Sequence, residues 1–418
     1  MKKRVLSIIL AASMLMGLAA CTAKAPETTA ATAATQAQET KAAETQAAAA
    51  QPAATQAAET KAAETEKEPV YVGVLAPLTG AMAEYGKTFE VAMTMRQEEI
   101  NAAGGINGRP LVLDFADSKG DQNQSAELAA RFADDEKYVA ILGDFASGCS
   151  MAAAPVCDEA EIVLLAPTAS NSQFAAMSPW AYSVAGNSAV ESKYDAQAIK
   201  KYANCNSVAV FYLNSDYGVT AYKSFESYAQ QYDLDIVFEE SYADGETDFS
   251  ALITKARAVN PEMVAIIDQA STSNIINTIR GVGWDVPITM IGMSTNGQLI
   301  DLCGENCEGA LCSATVNFDE NDPVTGPFLK VFMERAGFFP TQMAGYAYDA
   351  TQVLAEAMIR CGDDLTRDGI RQELMNTDKT FLTGPIKFTE IGEIERVFLI
   401  FQVEGGKYVL KCNYDYFD

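Results

Sequence analysis

The stretch "GDFASGCS" (143–150) sets Ser147 and Ser150 among glycines directly after an apolar run. A serine so placed can either attack a substrate or hold one. Attack needs a neighbouring base, usually histidine, and the chain has no histidine. No S-x-x-K box occurs, and "GMSTNG" (292–297) has one residue too many for a G-x-S-x-G elbow. Holding is the better-supported chemistry. A hydroxyl beside the free N–H groups of a helix start suits a small carboxylate; a serine that only caps its own helix is the plainer alternative. A second hydroxyl cluster, "APTASNS" (166–172), contributes Thr168, Ser170 and Ser172 beside a proline-stiffened turn, which favours the carboxylate clamp.

The elements around these clusters read as parallel α/β units. Short apolar runs at 70–76, 111–117, 138–143 and 161–167 alternate with helical-period segments near 85–103, 121–135 and 148–160. A second series follows, with strands at 207–213, 235–241, 263–268 and 288–292 and helices near 217–232, 248–259 and 271–282. Two similar series predict two lobes. In open parallel sheets ligands bind beyond the carboxyl ends of the strands. "GDFASGCS" sits at such an end, with Ser147 expected as N-cap of the next helix. The second series offers "NSDYG" (214–218), "DQAST" (268–272) and "GMSTN" (292–296) at its own strand ends. Asp268 there could hold a ligand ammonium or cap a helix.

The remaining sequence bounds where such a body works. "MKKRVLSIILAASMLMGLAAC" (1–21) has a basic start, an apolar stretch and small residues before a cysteine, the pattern of an export signal. The ending "LAAC" resembles a lipobox, so acylation of Cys21 and tethering to a lipid bilayer are expected. Residues 22–68 contain no aromatic residue, glycine, Val, Ile or Leu, and "ETKAAET" occurs twice, at 39–45 and 59–65. Such a segment cannot build a core and reads as a disordered spacer spanning roughly 40 Å. No later stretch is long and apolar enough to span a bilayer. The chain carries a formal charge of -26, and the three cations of the leader offset the -3 of the spacer, so the folded part carries nearly all of it. Nucleic acid and anionic lipid are poor partners for that body. Eight cysteines follow Cys21, which in an exported chain suggests some disulfides; Cys303 and Cys307 of "CGENC" are expected as a local bridge or free thiols. With no histidine to complete a ligand set, no metal is expected. Nor is a cofactor expected, and no P-loop is present.

"GVLAPLTGAMAEYGK" (73–87), "EEINAAGGINGRPLVLDFADSKGD" (98–121), "NSDYG" and "GYAYDATQVLAEA" (345–357) together resemble the leucine/isoleucine/valine-binding family of periplasmic-type receptors. The resemblance implies the type I periplasmic-binding-protein fold: two Rossmann-like lobes joined by three crossover segments and closing on a ligand as a hinged trap. It places an N-terminal lobe at 69–188 plus 318–395 and a C-terminal lobe at 189–317 plus 396–418. By the same resemblance, Tyr85, Ser147, Thr168, Ser170 and Tyr217 are ligand contacts, with Asp268 and Ser294 facing them. Branched-chain binders of the family carry an acid where Ser294 stands, so the ligand side chain stays open, with Asp268 able to supply a charge instead. The implied protein is a monomeric, non-enzymatic receptor that captures a small amino-acid-like ligand and delivers it to the permease of an ABC importer. A sensor acting through a membrane partner, or a secreted enzyme or adhesin on the same fold, are the alternatives.

Overall fold

The structure is a computed structural model that describes residues 67–268, 270–292, 295 and 297–412. Its first sheet is built from Val70–Ala76 (β1), Leu111–Asp117 (β2), Tyr138–Leu142 (β3), Val163–Ala166 (β4) and Ala181–Ser183 (β5), in the order β2-β1-β3-β4-β5 with every pairing parallel. Helices Ala83–Ala102 (α1), Gln122–Ala133 (α2) and Ser147–Glu159 (α3) connect these strands. Covered on both faces, β3 and β4 are nearly continuous apolar runs. That is why they are legible as strands from composition.

The chain then crosses to a second sheet through Ser188–Gln197 (α4). There Ser207–Leu213 (β6), Asp235–Tyr242 (β7), Met263–Ile267 (β8), Ile288–Met290 (β9) and Leu311–Ala314 (β10) alternate with Asp216–Gln231 (α5), Ser250–Ala258 (α6), Thr272–Gly281 (α7) and Leu299–Cys303 (α8). Strand β7 alternates exposed and half-buried residues along its length, as an edge strand does, whereas the interior β8 is buried throughout. The chain returns to the first sheet, where Thr325–Ala336 (α9) and Gln342–Arg360 (α10) pack on α1, Arg367–Met375 (α11) packs on α10, and Asp378–Phe381 (β11) pairs with Gly384–Lys387 (β12). A third crossing leads to Leu399–Glu404 (β13) and Lys407–Cys412 (β14), an antiparallel hairpin that completes the order β14-β13-β10-β9-β8-β6-β7. Two α/β lobes joined by three crossings are the architecture the motifs imply.

One fully buried cation ties the crossings together. Arg396, in the third crossing, donates to the Val184 carbonyl of the first at 3.0 Å and to the Thr383 carbonyl at 2.8 Å. Its guanidinium stacks over the Tyr346 ring, 4.8 Å from the centroid. Two expectations are corrected. Ser147 is the first helical residue of α3 rather than its cap; Ala146 holds the cap position and makes no side-chain cap bond. The expected disulfides are absent: the eight described cysteines are free thiols, Cys303 and Cys307 among them, packed into the core of the second lobe. The expected strands do not include β5 or β10–β14, although β13 begins within the apolar run 397–401. Among the described residues, no helix is long and apolar enough to cross a membrane, and no cluster of His, Cys, Asp or Glu could hold a metal ion.

Candidate ligand-binding cleft

In each sheet the connections reverse direction at one point, between β1 and β3 in the first and between β6 and β8 in the second. Crevices for ligands open at such switch points, beyond the strands' carboxyl ends. Tyr85 follows β1, Ser147 follows β3, Tyr217 follows β6 and Asp268 follows β8. The four expected residues thus flank the two crevices.

On the first lobe, the loop leading into α3 is fixed from beneath. Asp144 accepts from Ser125 Oγ at 2.5 Å and from the Phe145 N–H at 2.6 Å, and its own N–H donates to Ser150 Oγ at 3.0 Å. Burial pushes the Asp144 carboxyl above its ordinary value, and these bonds partly offset that. Ser150 is therefore structural. Ser147 instead points its first helical turn at an open cavity of about 210 Å³ and accepts the Asn171 N–H at 3.3 Å, keeping its own proton to donate. Thr168 Oγ1 donates to the Phe145 carbonyl at 2.7 Å, stitching the second hydroxyl loop to the first. Ser170 Oγ is buried and has no hydrogen-bond partner. The Tyr85 ring stacks on Phe145 with centroids 4.0 Å apart, forming the floor under this loop.

On the second lobe, Ser215 caps α5 by accepting the Gly218 N–H at 3.1 Å, which sets Tyr217 in the first turn. Tyr217 lines the same cavity as Ser147, and its hydroxyl donates to the Ile291 carbonyl at 3.4 Å. Asp268 is fully buried and committed to its own lobe. It accepts from the Tyr242 hydroxyl and from the N–H groups of Ala270, at 2.5 Å, and Ser271, at the start of α7. Both of its oxygens are thus engaged. Ser147 and Tyr217 share the cavity wall, whereas Tyr85, Thr168, Ser170 and Asp268 lie outside that wall. Ser294 and Cys21 lie outside the described residues.

The two lobes are bridged on both sides of this cleft. Gln122 Nε2 donates to Asp216 Oδ2 at 2.8 Å, and Asn171 Nδ2 to the Asp216 carbonyl at 2.9 Å and to Thr220 Oγ1 at 3.1 Å. On the other side Glu84 accepts the N–H groups of Gly297 at 2.9 Å and Gln298 at 3.3 Å. Burial raises the Glu84 carboxyl above its ordinary value, and the two N–H groups counter it. None of these bridging residues was singled out by the sequence. Asn171 and Asp216 are neighbours of expected contacts, but their bonds exist only when the lobes meet.

The comparisons with known proteins agree with this fold. A family described as periplasmic binding protein matches residues 69–407. A Leu/Ile/Val-binding protein homolog of Brucella suis biovar 1 is 28% identical over 308 residues, covering 71% of this chain and 79% of its own. The leucine binding protein of Thermotoga maritima superposes with a TM-score of 0.77 at 25% identity, over 83% of this chain and 99% of that one. An R. palustris solute binding protein in complex with benzoate shares the fold, with a TM-score of 0.77 at 18% identity over 83% of this chain and 96% of that one. The chain belongs to the periplasmic binding protein family.

Proposed function

We propose that the protein is the extracytoplasmic receptor of an ABC importer, capturing a small carboxylate ligand of the amino-acid class between its lobes. The observation that carries this reading is the opposition of Ser147 and Tyr217 across one cavity. The hydroxyl of Ser147 and the first turn of α3 offer donors and a favourable dipole to a carboxylate. Tyr217 offers an aromatic wall from the other lobe. Closure on such a ligand follows if it touches both lobes and so binds the closed state better than the open one. The Leu/Ile/Val homolog and the leucine binding protein support an amino-acid ligand, while the benzoate complex marks how far ligand chemistry ranges on this fold.

The rest of the reading follows from the sequence. Acylated Cys21 anchors the chain to the bilayer, 22–68 is its spacer, and a permease receives the ligand from the monomeric receptor. The lobes are taken as 69–188 plus 318–395 and 189–317 plus 396–418. Tyr85, Thr168 and Ser170 support the carboxylate loop, and Ser294 is taken as a ligand residue of the second lobe on the strength of the sequence alone. The test is to purify the protein without denaturation, release what it carries and identify it by mass spectrometry. A small amino acid is expected. A released species with no carboxylate would refute the carboxylate clamp.

A further inference from the structure

Helix α4 carries a feature that the carboxylate clamp does not use. Ser188, Glu191 and Asp195 are spaced three and four residues apart, so they share one face of the helix. That face is turned inward: Glu191 is 3% and Asp195 1% exposed. Glu191 Oε1 accepts Ser313 Oγ from β10 at 3.3 Å. Its Oε2 lies by Gly292, near the Tyr217 hydroxyl. A Cβ at Gly292 would sit 3.0 Å from Glu191 Oε2 and 2.3 Å from the Tyr217 hydroxyl, so the carboxylate stands directly behind the tyrosine that lines the cavity.

No ion pair reaches either carboxylate among the described residues, and Asp195 Oδ2 has no hydrogen-bond partner. Two further buried hydroxyls beside this pair are also without partners: Ser188 Oγ and Ser170 Oγ, whose residues are joined by the Ser188 N–H donating to the Ser170 carbonyl at 2.9 Å. Buried polar atoms are nearly always bonded in a finished structure. These three unpaired polar atoms, two hydroxyls and a carboxylate oxygen running from the first lobe's hydroxyl loop to Asp195, are what a polar, donor-bearing ligand would complete. Asp268 is already engaged by Tyr242 and the N–H groups at the start of α7, whereas Asp195 Oδ2 is not engaged.

We propose that Glu191, backed by Asp195, receives a cationic group of the ligand, and that this cation displaces a proton held by the pair. The inference rests on the reading of the cleft as a solute site. Without a cation, burial pushes Glu191 up to about 7, and burial together with the charge of Glu191 pushes Asp195 well above its ordinary value. The titratable groups facing them are the Cys312 thiol on β10, Tyr346 on α10 and Tyr217 on α5; Arg396 lies beyond the Tyr346 ring with its donors spent on carbonyls. None of these supplies a positive charge to the pair. A ligand ammonium would, and its arrival favours the ionised form. One proton then leaves to solvent for each cation seated. The ligand class is thereby narrowed to zwitterions, a carboxylate for Ser147 and an ammonium for Glu191, and simple anions such as benzoate are disfavoured.

The test titrates the full chain, freed of carried ligand, with each of the common L-amino acids, with benzoate and with 4-methylpentanoate, by calorimetry at pH 5.5 and 7.5. An amino acid is expected to bind at least roughly 10-fold more tightly than either anion, more tightly at pH 7.5 than at 5.5, and with a heat that varies with buffer ionisation as proton release requires. Glu191→Gln should weaken that amino acid roughly 10- to 100-fold and flatten its pH dependence. Asp195→Asn, the second variant, should flatten the pH dependence with a smaller loss. Unchanged affinity in Glu191→Gln, or binding of the amino acid without proton release, overturns the proposal. Tight binding of benzoate alone also overturns it while leaving the solute-receptor reading intact. Binding of none of these probes overturns both.

Discussion

Gln122 and Asp216 meet across the mouth of the cleft, amide to carboxylate at 2.8 Å, directly above the bare Cα of Gly148. A Cβ at Gly148 would lie 2.5 Å from both Gln122 Nε2 and Asp216 Oδ2. A methyl group here must therefore push apart the two side chains that join the lobes. Gly148 is also in the first turn of α3, where alanine is the better helix former by up to about 1 kcal/mol. Gly148→Ala should thus bind its amino acid several-fold more weakly while melting no lower than the parent. Paired calorimetry and thermal denaturation check this; lower stability with unchanged affinity would show that the contact is not a closure contact.

Ser147→Ala removes a hydroxyl but leaves the α3 N–H groups and dipole in place. The loss of one bond to a charged partner is expected to weaken amino-acid binding by about 1.5 to 3 kcal/mol, roughly 10- to 150-fold. Ala146 holds the cap position, so no capping loss accompanies it, and only the Asn171 N–H loses an acceptor. Stability should fall by about 1 kcal/mol or less. Methyl esters of the same amino acid provide the cross-check: esterification should harm the parent far more than the variant, and equal harm would exclude Ser147 as the carboxylate's partner.

Acid should favour the ligand-free fold relative to neutral pH, within one window. Glu191 rises from an ordinary 4.5 to about 7 on burial, so between those values the native chain holds a proton that the unfolded chain has released. The resulting stability is complete below about pH 4.5 and is lost as pH climbs through 7. Ligand-free melting curves across this range should fall towards neutrality in the parent and flatten in Glu191→Gln. Parallel curves for the two proteins would contradict the assignment.

Arg396 is expected to be the most sensitive single position of the crossings. Arg396→Met keeps an apolar stem but leaves the Val184 and Thr383 carbonyls buried and unpaired. A loss of roughly 2 to 4 kcal/mol in stability follows, from two stranded acceptors and the lost stacking on Tyr346. Chemical denaturation measures it directly, and a change below about 1 kcal/mol would mean the crossings are held elsewhere.

How much of this was legible in the sequence depends on where burial is decided. Strands such as β3 and β8 read plainly because a strand covered on both faces must be apolar throughout. The Ser147 loop read plainly because strand, glycine-rich turn and helix are adjacent in the chain. Asp268 did not, since capping and ligand binding ask for the same acid at the same strand end. The bond from the Tyr242 hydroxyl, brought from β7, is a contact that no local pattern encodes. Glu191 was invisible for the opposite reason: "SAVESKYDAQ" looks like an exposed helix, and its acids are buried only by β10 and α5. The Gln122, Asn171 and Glu84 bridges belong to the meeting of the lobes, which no local pattern encodes.

Cys21→Ala tests the anchor independently of the cleft. The variant is expected in the soluble fraction or retained as uncleaved precursor, whereas the parent partitions with membranes. A variant that still fractionates with the membrane would place the anchor elsewhere.

The central claim is that a zwitterion bridges the lobes and closes them. Small-angle scattering of the same preparation, first stripped and then saturated with the amino acid that binds best, measures this most directly. The account requires a smaller radius of gyration when saturated, as the Gln122–Asp216 and Glu84–Gly297 bridges form, and a smaller change in Gly148→Ala at equal ligand concentration below saturation. An identical radius with and without ligand in the parent would contradict it.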